Sequence, residues 1–213
     1  MLYEKFLPEV KGEYGNFKEP REDERCTHDM RHISSVIETC ERVCKLFKID
    51  EKQTDDIKIA ALLHDVGVSN IGKKDHAERS YIWATNYLSD KPLSDESKTQ
   101  ILDAIRYHSK GINTLYSRIL TFADKIDVTE KRVLPFGRKE HGLKQYVHIK
   151  TIDFAIKGNI LNVIFKTDGK MDVAEANEYY FTPKIFAATR DIANFFFLEH
   201  NLYVDDKIWE LTK

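Results

Sequence analysis

Apolar residues recur every three or four positions through much of the chain, which is the spacing of amphipathic helices. The first run follows Thr27, a residue that can cap a helix, and extends to Phe47. His32 lies beside this apolar stripe, one turn before Val36. The pattern predicts a helix that buries one face and holds His32 close to the protein interior.

The second predicted helix opens at Thr54 and is apolar on almost every side over residues 57–63. A helix without a polar face has to be buried, so this one delivers His64 and Asp65 into the interior. Gly67 then ends the helical pattern.

Two further helices are predicted from their start signals. Asp75 and Glu78 form a variant of the capping box, which places His76 in the first turn of the third helix. Ser94 opens the fourth helix, on which His108 shares one face with the apolar residues. His108 is therefore expected to point where the apolar side chains point.

A fifth helix, over residues 115–126, carries Asp124. Beyond about residue 140 the composition shifts to β-branched and aromatic residues, which are typical of strands. Residues 146–156 and 160–166 predict a β-hairpin, and Thr182 with Pro183 opens a last helix.

These elements predict a mainly α fold, a helical bundle followed by a small C-terminal α+β appendage that contains the hairpin. The predicted division is a helical domain over residues 1–140 and the appendage over residues 141–213. The sequence contains no internal repeat and no low-complexity linker, so the hairpin and last helix are expected to pack on the helical body.

The composition excludes several function classes. Lys and Arg number 33 and Asp and Glu 35, so no global basic field favours nucleic acid or anionic membranes. The N-terminus lacks the order of a signal peptide and the apolar runs are too short to cross a bilayer, so a cytoplasmic protein is expected. Cys26, Cys40 and Cys44 form no CxxC pair, which argues against a disulfide framework or a structural zinc site.

An imidazole and a carboxylate at the end of an apolar helix are costly to bury unless partners satisfy them, and a metal ion is the natural partner. Neighbouring helices supply similar groups from inward positions. These candidate ligands are His32, His64, Asp65, His108 and Asp124. Convergence of such side chains is typical of a metal site in the core of a helical bundle.

The same residues resemble the signature of the HD superfamily, which is a His, an adjacent His-Asp doublet and a distant Asp, all on helices. The matching positions are His32, the doublet in Ala-Leu-Leu-His64-Asp65-Val-Gly, and Asp124 in Thr-Phe-Ala-Asp-Lys-Ile-Asp. The resemblance covers roughly residues 26–135 and implies an HD-domain helical bundle.

Many superfamily members place two more histidines between the doublet and the last Asp, where they hold a second metal bridged by the doublet's aspartate. His76 and His108 match these positions. The pattern is similar to the bacterial HD-type symmetrical dinucleoside-tetraphosphate hydrolases. The chain departs from those enzymes at residues 66–69, where they carry a Lys, and at Glu130, where they carry an Arg. The identity of the substrate therefore stays open.

The resemblance implies a metal-dependent phosphohydrolase that acts on a nucleotide or a similar small phosphorylated molecule. One or two divalent ions of Fe, Mn, Co, Ni or Zn suit the ligands, and such an ion lowers the pKa of a bound water to about 7. Asp65 is the expected bridge and the residue that orients the attacking water. The candidates for binding the substrate's phosphates are Lys73, Lys74, Arg79 and Lys110.

Several alternatives stay open at the level of sequence. His28, one turn before His32, competes with it as a ligand or could serve as a cap or a substrate contact. The same scaffold also supports diiron oxygenases, and a non-catalytic module that senses a metal or a nucleotide would need the same ligands. The hairpin could act as a substrate lid, a contact in a homo-oligomer or a structural cover.

Overall fold

The structure, a computed structural model, describes residues 1–15, 24–68, 74–109 and 114–211. The chain forms two compact units. The first consists of Met1–Glu19 and His28–Asp124, and the second of Pro20–Thr27 and Lys125–Lys213. This division differs from the predicted boundary at residue 140, and whether either unit is an independent domain stays a prediction.

The first unit is helical. Its helices are α1 (Leu2–Gly15), α2 (Met30–Leu46), α3 (Glu51–Leu63), α4 (His76–Leu88), α5 (Asp95–Tyr107) and α6 (Leu115–Ile126), the last of which extends two residues past this unit. The five predicted helices are confirmed, whereas α1 was missed although Phe6, Val10 and Tyr14 are buried at helical spacing. None of the helices in the described ranges is long and apolar enough to cross a membrane.

The starts predicted for the first two helices were wrong. Helix α2 begins after Asp29, whose carboxylate accepts a hydrogen bond of 2.9 Å from the Arg31 amide, and not at Thr27. Helix α3 begins after Asp50, one turn before Thr54. An aspartate at the N-cap satisfies a free amide and also interacts favourably with the positive end of the helix dipole.

The start of α4 was placed correctly, but the capping box does not form. Asp75 adopts a left-handed conformation, with φ of 56°, and its side chain caps no amide. Glu78 instead accepts two hydrogen bonds from Arg106 on α5, each of 3.0 Å. The predicted cap of α5 is confirmed, because Ser94 accepts a hydrogen bond from the Ser97 amide.

The second unit contains a four-stranded mixed sheet in the order β1-β2-β3-β4. Its elements are β1 (Ile149–Lys157), β2 (Ile160–Thr167), α7 (Val173–Asn177), α8 (Thr182–Phe195), β3 (Glu199–Val204) and β4 (Lys207–Ile208). The hairpin of β1 and β2 confirms the prediction. Strand β3 pairs in parallel with β2 and in antiparallel with β4, and neither β3 nor β4 was predicted.

A buried apolar layer holds the second unit together. Leu161, Val163 and Phe165 alternate along β2 and are fully buried, as expected for one face of a strand. Ile185 and Ile192 of α8 are also fully buried, so the helix and this sheet share a core.

Glu175 links the segment before β1 to α7. Its carboxylate accepts hydrogen bonds from the Gly142 amide at 3.0 Å and the Gln145 side-chain amide at 2.7 Å, and forms an ion pair of 3.0 Å with Lys144. The bond from the Gly142 amide is the main cause that lowers the pKa of Glu175 to about 2.

We expect the free energy of unfolding to depend less on pH between 6 and 2 in Glu175→Gln than in the wild type. The folded-state pKa is depressed, so the carboxylate stabilises the protein above the usual value of 4.5, and this stabilisation is lost as the pH falls towards 2. Urea unfolding measured between pH 6 and pH 2 should therefore show a smaller fall in midpoint for the variant. The control is Glu178→Gln, which removes an exposed carboxylate nearby. Equal acid dependence in wild type and Glu175→Gln would contradict this role.

Candidate metal centre

Six side chains from five helices of the first unit converge on one region. They are His32, His64, Asp65, His76, His108 and Asp124. Three of them lie at helix ends: His64 and His108 are the C-cap residues of α3 and α5, and His76 is the first residue of α4. Helix ends bring polar groups together without interrupting the apolar core between the helices.

The first group of three is buried. His32, His64 and Asp124 each offer one ligand atom, and these atoms all lie within 4.8 Å of one another. His32 Nε2 lies 3.3 Å from Asp124 Oδ1. We call this group the inner triad.

The second group reaches the surface. Asp65, His76 and His108 also offer ligand atoms within 4.8 Å of one another. The Nε2 atoms of His76 and His108 lie 3.0 Å apart, and His76 Nε2 lies 3.4 Å from Asp65 Oδ1. The His76 side chain is 20% exposed whereas that of His108 is buried, so this group, the outer triad, is open on the His76 side.

The carboxylate of Asp65 faces both triads. Its Oδ2 atom lies 3.4 Å from His64 Nε2 and 3.6 Å from His32 Nε2. Its Oδ1 atom lies 3.4 Å from His76 Nε2 and 3.9 Å from His108 Nε2. One oxygen therefore points to each triad, which is the arrangement of a carboxylate that bridges two ions.

Backbone carbonyls fix which ring nitrogen His64 and His108 present to the centre. His64 Nδ1 lies 2.8 Å from the Ala61 oxygen, and His108 Nδ1 lies 2.7 Å from the Ile105 oxygen. A carbonyl only accepts, so Nδ1 carries the hydrogen and Nε2 of a neutral ring keeps its lone pair for the centre. Among the described residues, His64 Nε2 has no hydrogen-bond partner although it is buried.

The charge states suit metal binding. Burial lowers the pKa of His64 below its usual value, although Asp65 and Asp124 act in the opposite direction. Burial alone would raise the pKa of Asp65, but the imidazoles of His64, His28 and His76 lower it well below its usual range. A neutral imidazole and an ionised carboxylate are the protonation states that bind metal.

The spacing of the donor atoms also fits an ion. Two ligand atoms that each lie about 2.1 Å from a tetrahedral ion are about 3.4 Å apart. The separations of 3.3 Å between His32 and Asp124 and of 3.0 Å between His76 and His108 are close to that value. The residues present therefore fit one ion in each triad, while metal binding itself stays a prediction.

The turn after the doublet packs tightly on α4. The Gly67 amide donates a hydrogen bond of 2.8 Å to the Ser80 hydroxyl, which is buried. A Cβ atom at Gly67 would lie 2.3 Å from the Ser80 backbone nitrogen and 2.7 Å from the His76 oxygen. Glycine is required here because the turn after α3 approaches the backbone of α4 too closely for a side chain.

We expect Gly67→Ala to lower the free energy of unfolding by about 1–3 kcal/mol, because the added methyl group overpacks a rigid backbone contact. The displaced α4 should also weaken metal retention, which elemental analysis of the purified variant would measure.

The matched control for Gly67→Ala is Gly12→Ala in α1. A Cβ at Gly12 meets nothing within 4 Å, and alanine at that helical position should stabilise the protein by about 0.5–1 kcal/mol. Unchanged stability and metal content in Gly67→Ala would show that the contact is not tight.

The cationic residues proposed for substrate binding are only partly described. Lys73 and Lys110 lie outside the described residues. Lys74 is exposed, whereas Arg79 donates hydrogen bonds to the backbone carbonyls of Gly67, at 2.8 Å, and of Lys74. Arg79 therefore ties α4 to both ends of the segment that follows the doublet, and its contact with a substrate stays a prediction.

The competing histidine lies at the border of the site. The ring centroid of His28 is 5.6 Å from that of His32, and its charge contributes to the lowered pKa of Asp65. His28 belongs to neither triad, however, so the preference for His32 as the candidate ligand agrees with the geometry.

Two supporting hydroxyl groups were missed by the sequence analysis. Thr121 on α6 donates a hydrogen bond of 3.0 Å to the His108 carbonyl. Tyr14 on α1 donates one of 2.6 Å to the Leu62 carbonyl, beside the doublet. Burial raises the pKa of Tyr14 well above its usual value, so the phenol stays protonated at neutral pH. The spacing of Thr121 one turn before Asp124 could have pointed to it, whereas Tyr14 gave no local signal.

Comparison with known proteins agrees with this geometry. Residues 30–129, a range that contains both triads, match the family model of the HD domain, which confirms the HD bundle and the resemblance to that superfamily. No curated protein matches the chain. A solved structure from an uncultured Thermotogales bacterium, described as a predicted HD superfamily hydrolase, is 27% identical to the chain, with a TM-score of 0.49. The match covers 58% of this chain and 69% of that one.

Proposed function

We propose that the two triads hold one or two divalent transition-metal ions and that the protein is a metal-dependent phosphohydrolase, because residues 30–129 match the family model of the HD domain. The observation that carries this proposal is the carboxylate of Asp65, whose two oxygens face different triads. Mixed imidazole and carboxylate ligands suit Fe, Mn, Co, Ni and Zn.

The chain's own residues would prepare the site for hydrolysis. A bound ion of this class supplies a water of lowered pKa and polarises a phosphoryl oxygen. His64 and His108 are held by backbone carbonyls, so their Nε2 atoms need little reorientation. We assign to Asp65 the catalytic role of orienting the attacking water, since its carboxylate lies between the triads.

The substrate we propose is a nucleotide or a similar small phosphorylated molecule, with a dinucleoside polyphosphate as the first candidate. The phosphate would approach on the side of His76, which is the exposed member of the outer triad. Cationic side chains are needed there to neutralise the remaining phosphate oxygens. We propose Lys73, Lys74, Arg79 and Lys110 for this role, of which the structure describes Lys74 and Arg79.

The proposal is tested by elemental analysis of the purified protein together with a screen for phosphate release. The screen covers mononucleotides and dinucleoside polyphosphates in the presence of Mn, Fe, Co, Ni or Mg. We expect bound transition metal and turnover with at least one nucleotide. A protein that retains no metal and releases no phosphate under all these conditions would contradict the proposal.

Two other results would point to the alternative functions. Six ligands with a shared carboxylate also suit a diiron oxygenase, so the iron-loaded protein is compared with and without oxygen. Oxygen-dependent turnover without phosphate release would favour that enzyme. Tight binding of metal or nucleotide without any turnover would favour a sensing module.

A further inference from the structure

Helix α1 is attached to α3 at both of its ends. At the start of α1, the Asp55 carboxylate accepts hydrogen bonds from the amides of Leu2, at 2.7 Å, and Tyr3, at 3.3 Å. At the end of α1, the Tyr14 hydroxyl donates its hydrogen bond to the Leu62 carbonyl. Between these bonds the apolar side of α1 is buried, and α1 packs along α3.

The hydrogen bond from Tyr14 is made to the C-terminal end of α3, next to the candidate ligands His64 and Asp65. The last carbonyls of a helix have no partner within it and need other donors when they are buried. At the end of α3, the Ala61 carbonyl faces the His64 ring and the Leu62 carbonyl accepts from Tyr14. The Tyr14 hydroxyl therefore holds the last turn of α3, two residues before His64.

We propose that Tyr14 is a positioning residue of the metal centre: its hydroxyl fixes the backbone from which His64 and Asp65 project towards the two triads. The proposal rests on the metal binding proposed above. Helix α1 precedes residues 30–129, so this support comes from outside the range that matches the HD domain.

The geometry explains why the hydroxyl matters more than the ring. Asp65 must direct one oxygen to each triad, and small rotations of its backbone would move both oxygens together. The aromatic ring of Tyr14 is buried in the core, and phenylalanine would keep this apolar contact. The hydroxyl supplies the hydrogen bond to the Leu62 carbonyl, which phenylalanine loses.

The test is a titration of metal-free Tyr14→Phe with Co(II), followed by the visible absorption of the bound ion. We expect cobalt affinity to fall by about tenfold, the lower end of the effect of groups that orient metal ligands. The absorption bands should shift, because ligand geometry changes them. Affinity and spectrum equal to those of wild type would overturn the proposal.

Two control variants separate positioning from general loss of stability. Asp55→Asn weakens the attachment at the other end of α1, and Tyr146→Phe removes a buried hydroxyl that bonds Thr182 in the second unit. Both should keep the wild-type cobalt spectrum. If Asp55→Asn shifts the spectrum as much as Tyr14→Phe does, the effect is a general loosening of α1 and the proposal fails.

A rescue variant keeps the test decisive if Tyr14→Phe is too unstable to titrate. Incorporation of 4-aminophenylalanine at position 14 keeps an N–H donor on the same ring, so wild-type affinity and spectrum are expected. Weak binding or a shifted spectrum in this folded variant would overturn the proposal. A wild-type protein that binds no cobalt would instead refute the proposed metal centre, so the two failures are distinguishable.

Discussion

Asp65→Asn is expected to empty both triads and to abolish turnover. The substitution keeps the shape of the side chain but removes the negative charge that faces four imidazoles. Loss of an outer-shell partner lowers metal affinity by about 10–100-fold, and loss of a shared ligand should exceed the upper end of that range. Elemental analysis and the initial rate of phosphate release would measure the two effects.

The matched control is Asp56→Asn on α3, the helix that precedes Asp65. Asp56 is as deeply buried as Asp65, but it accepts hydrogen bonds from Lys52 and Tyr116 and belongs to neither triad. This variant should keep its metal and its activity, even if it is less stable. Full metal content and full activity in Asp65→Asn would show that the centre has been assigned to the wrong residue.

His64→Ala and His76→Ala are expected to differ in the amount of metal that the protein retains. His64 belongs to the buried inner triad, and its removal should release the ion that is most protected from solvent and abolish activity. His76 belongs to the open outer triad, so its removal should leave the inner ligands in place. We expect His76→Ala to retain about half of the wild-type metal content while its turnover falls by more than about 100-fold.

Metal content per chain, measured before and after dialysis against a chelator, would distinguish the two variants. In the wild type, the outer ion should be removed first, because His76 is partly exposed. His141→Ala is the control, since that histidine lies on the surface of the second unit and bonds Glu178. Equal losses of metal in His64→Ala and His76→Ala would indicate a single shared ion in place of two separate positions.

Helices α2 to α6 and five of the six candidate ligands followed from local patterns. An apolar run with no polar face at residues 57–63 can only be buried, and the doublet at its end had to be buried with it. His108 and Asp124 followed from their spacing to apolar neighbours. His76 was less evident, because it begins its helix and is partly exposed, and it entered through the resemblance to the HD superfamily.

Other features were missed or misinterpreted in the sequence. Asp29 and Asp50 were overlooked as caps because Thr27 and Thr54 also have side chains that can cap. Strand β3 was missed because pairing with a distant strand leaves no periodicity of its own. Arg79 was interpreted as a phosphate ligand, and its bond to the Gly67 carbonyl could not be read from sequence spacing.

The amino-acid sequence by itself determined the helices and which imidazoles and carboxylates had to lie inside, because periodicity and burial are local properties of a chain. Only the tertiary structure decided that these groups form two triads, that the oxygens of Asp65 divide between them, and that Tyr14 supports the doublet. Such relations depend on distances between helices, and these distances are set by packing contacts such as Gly67 against Ser80, which join residues far apart in the chain.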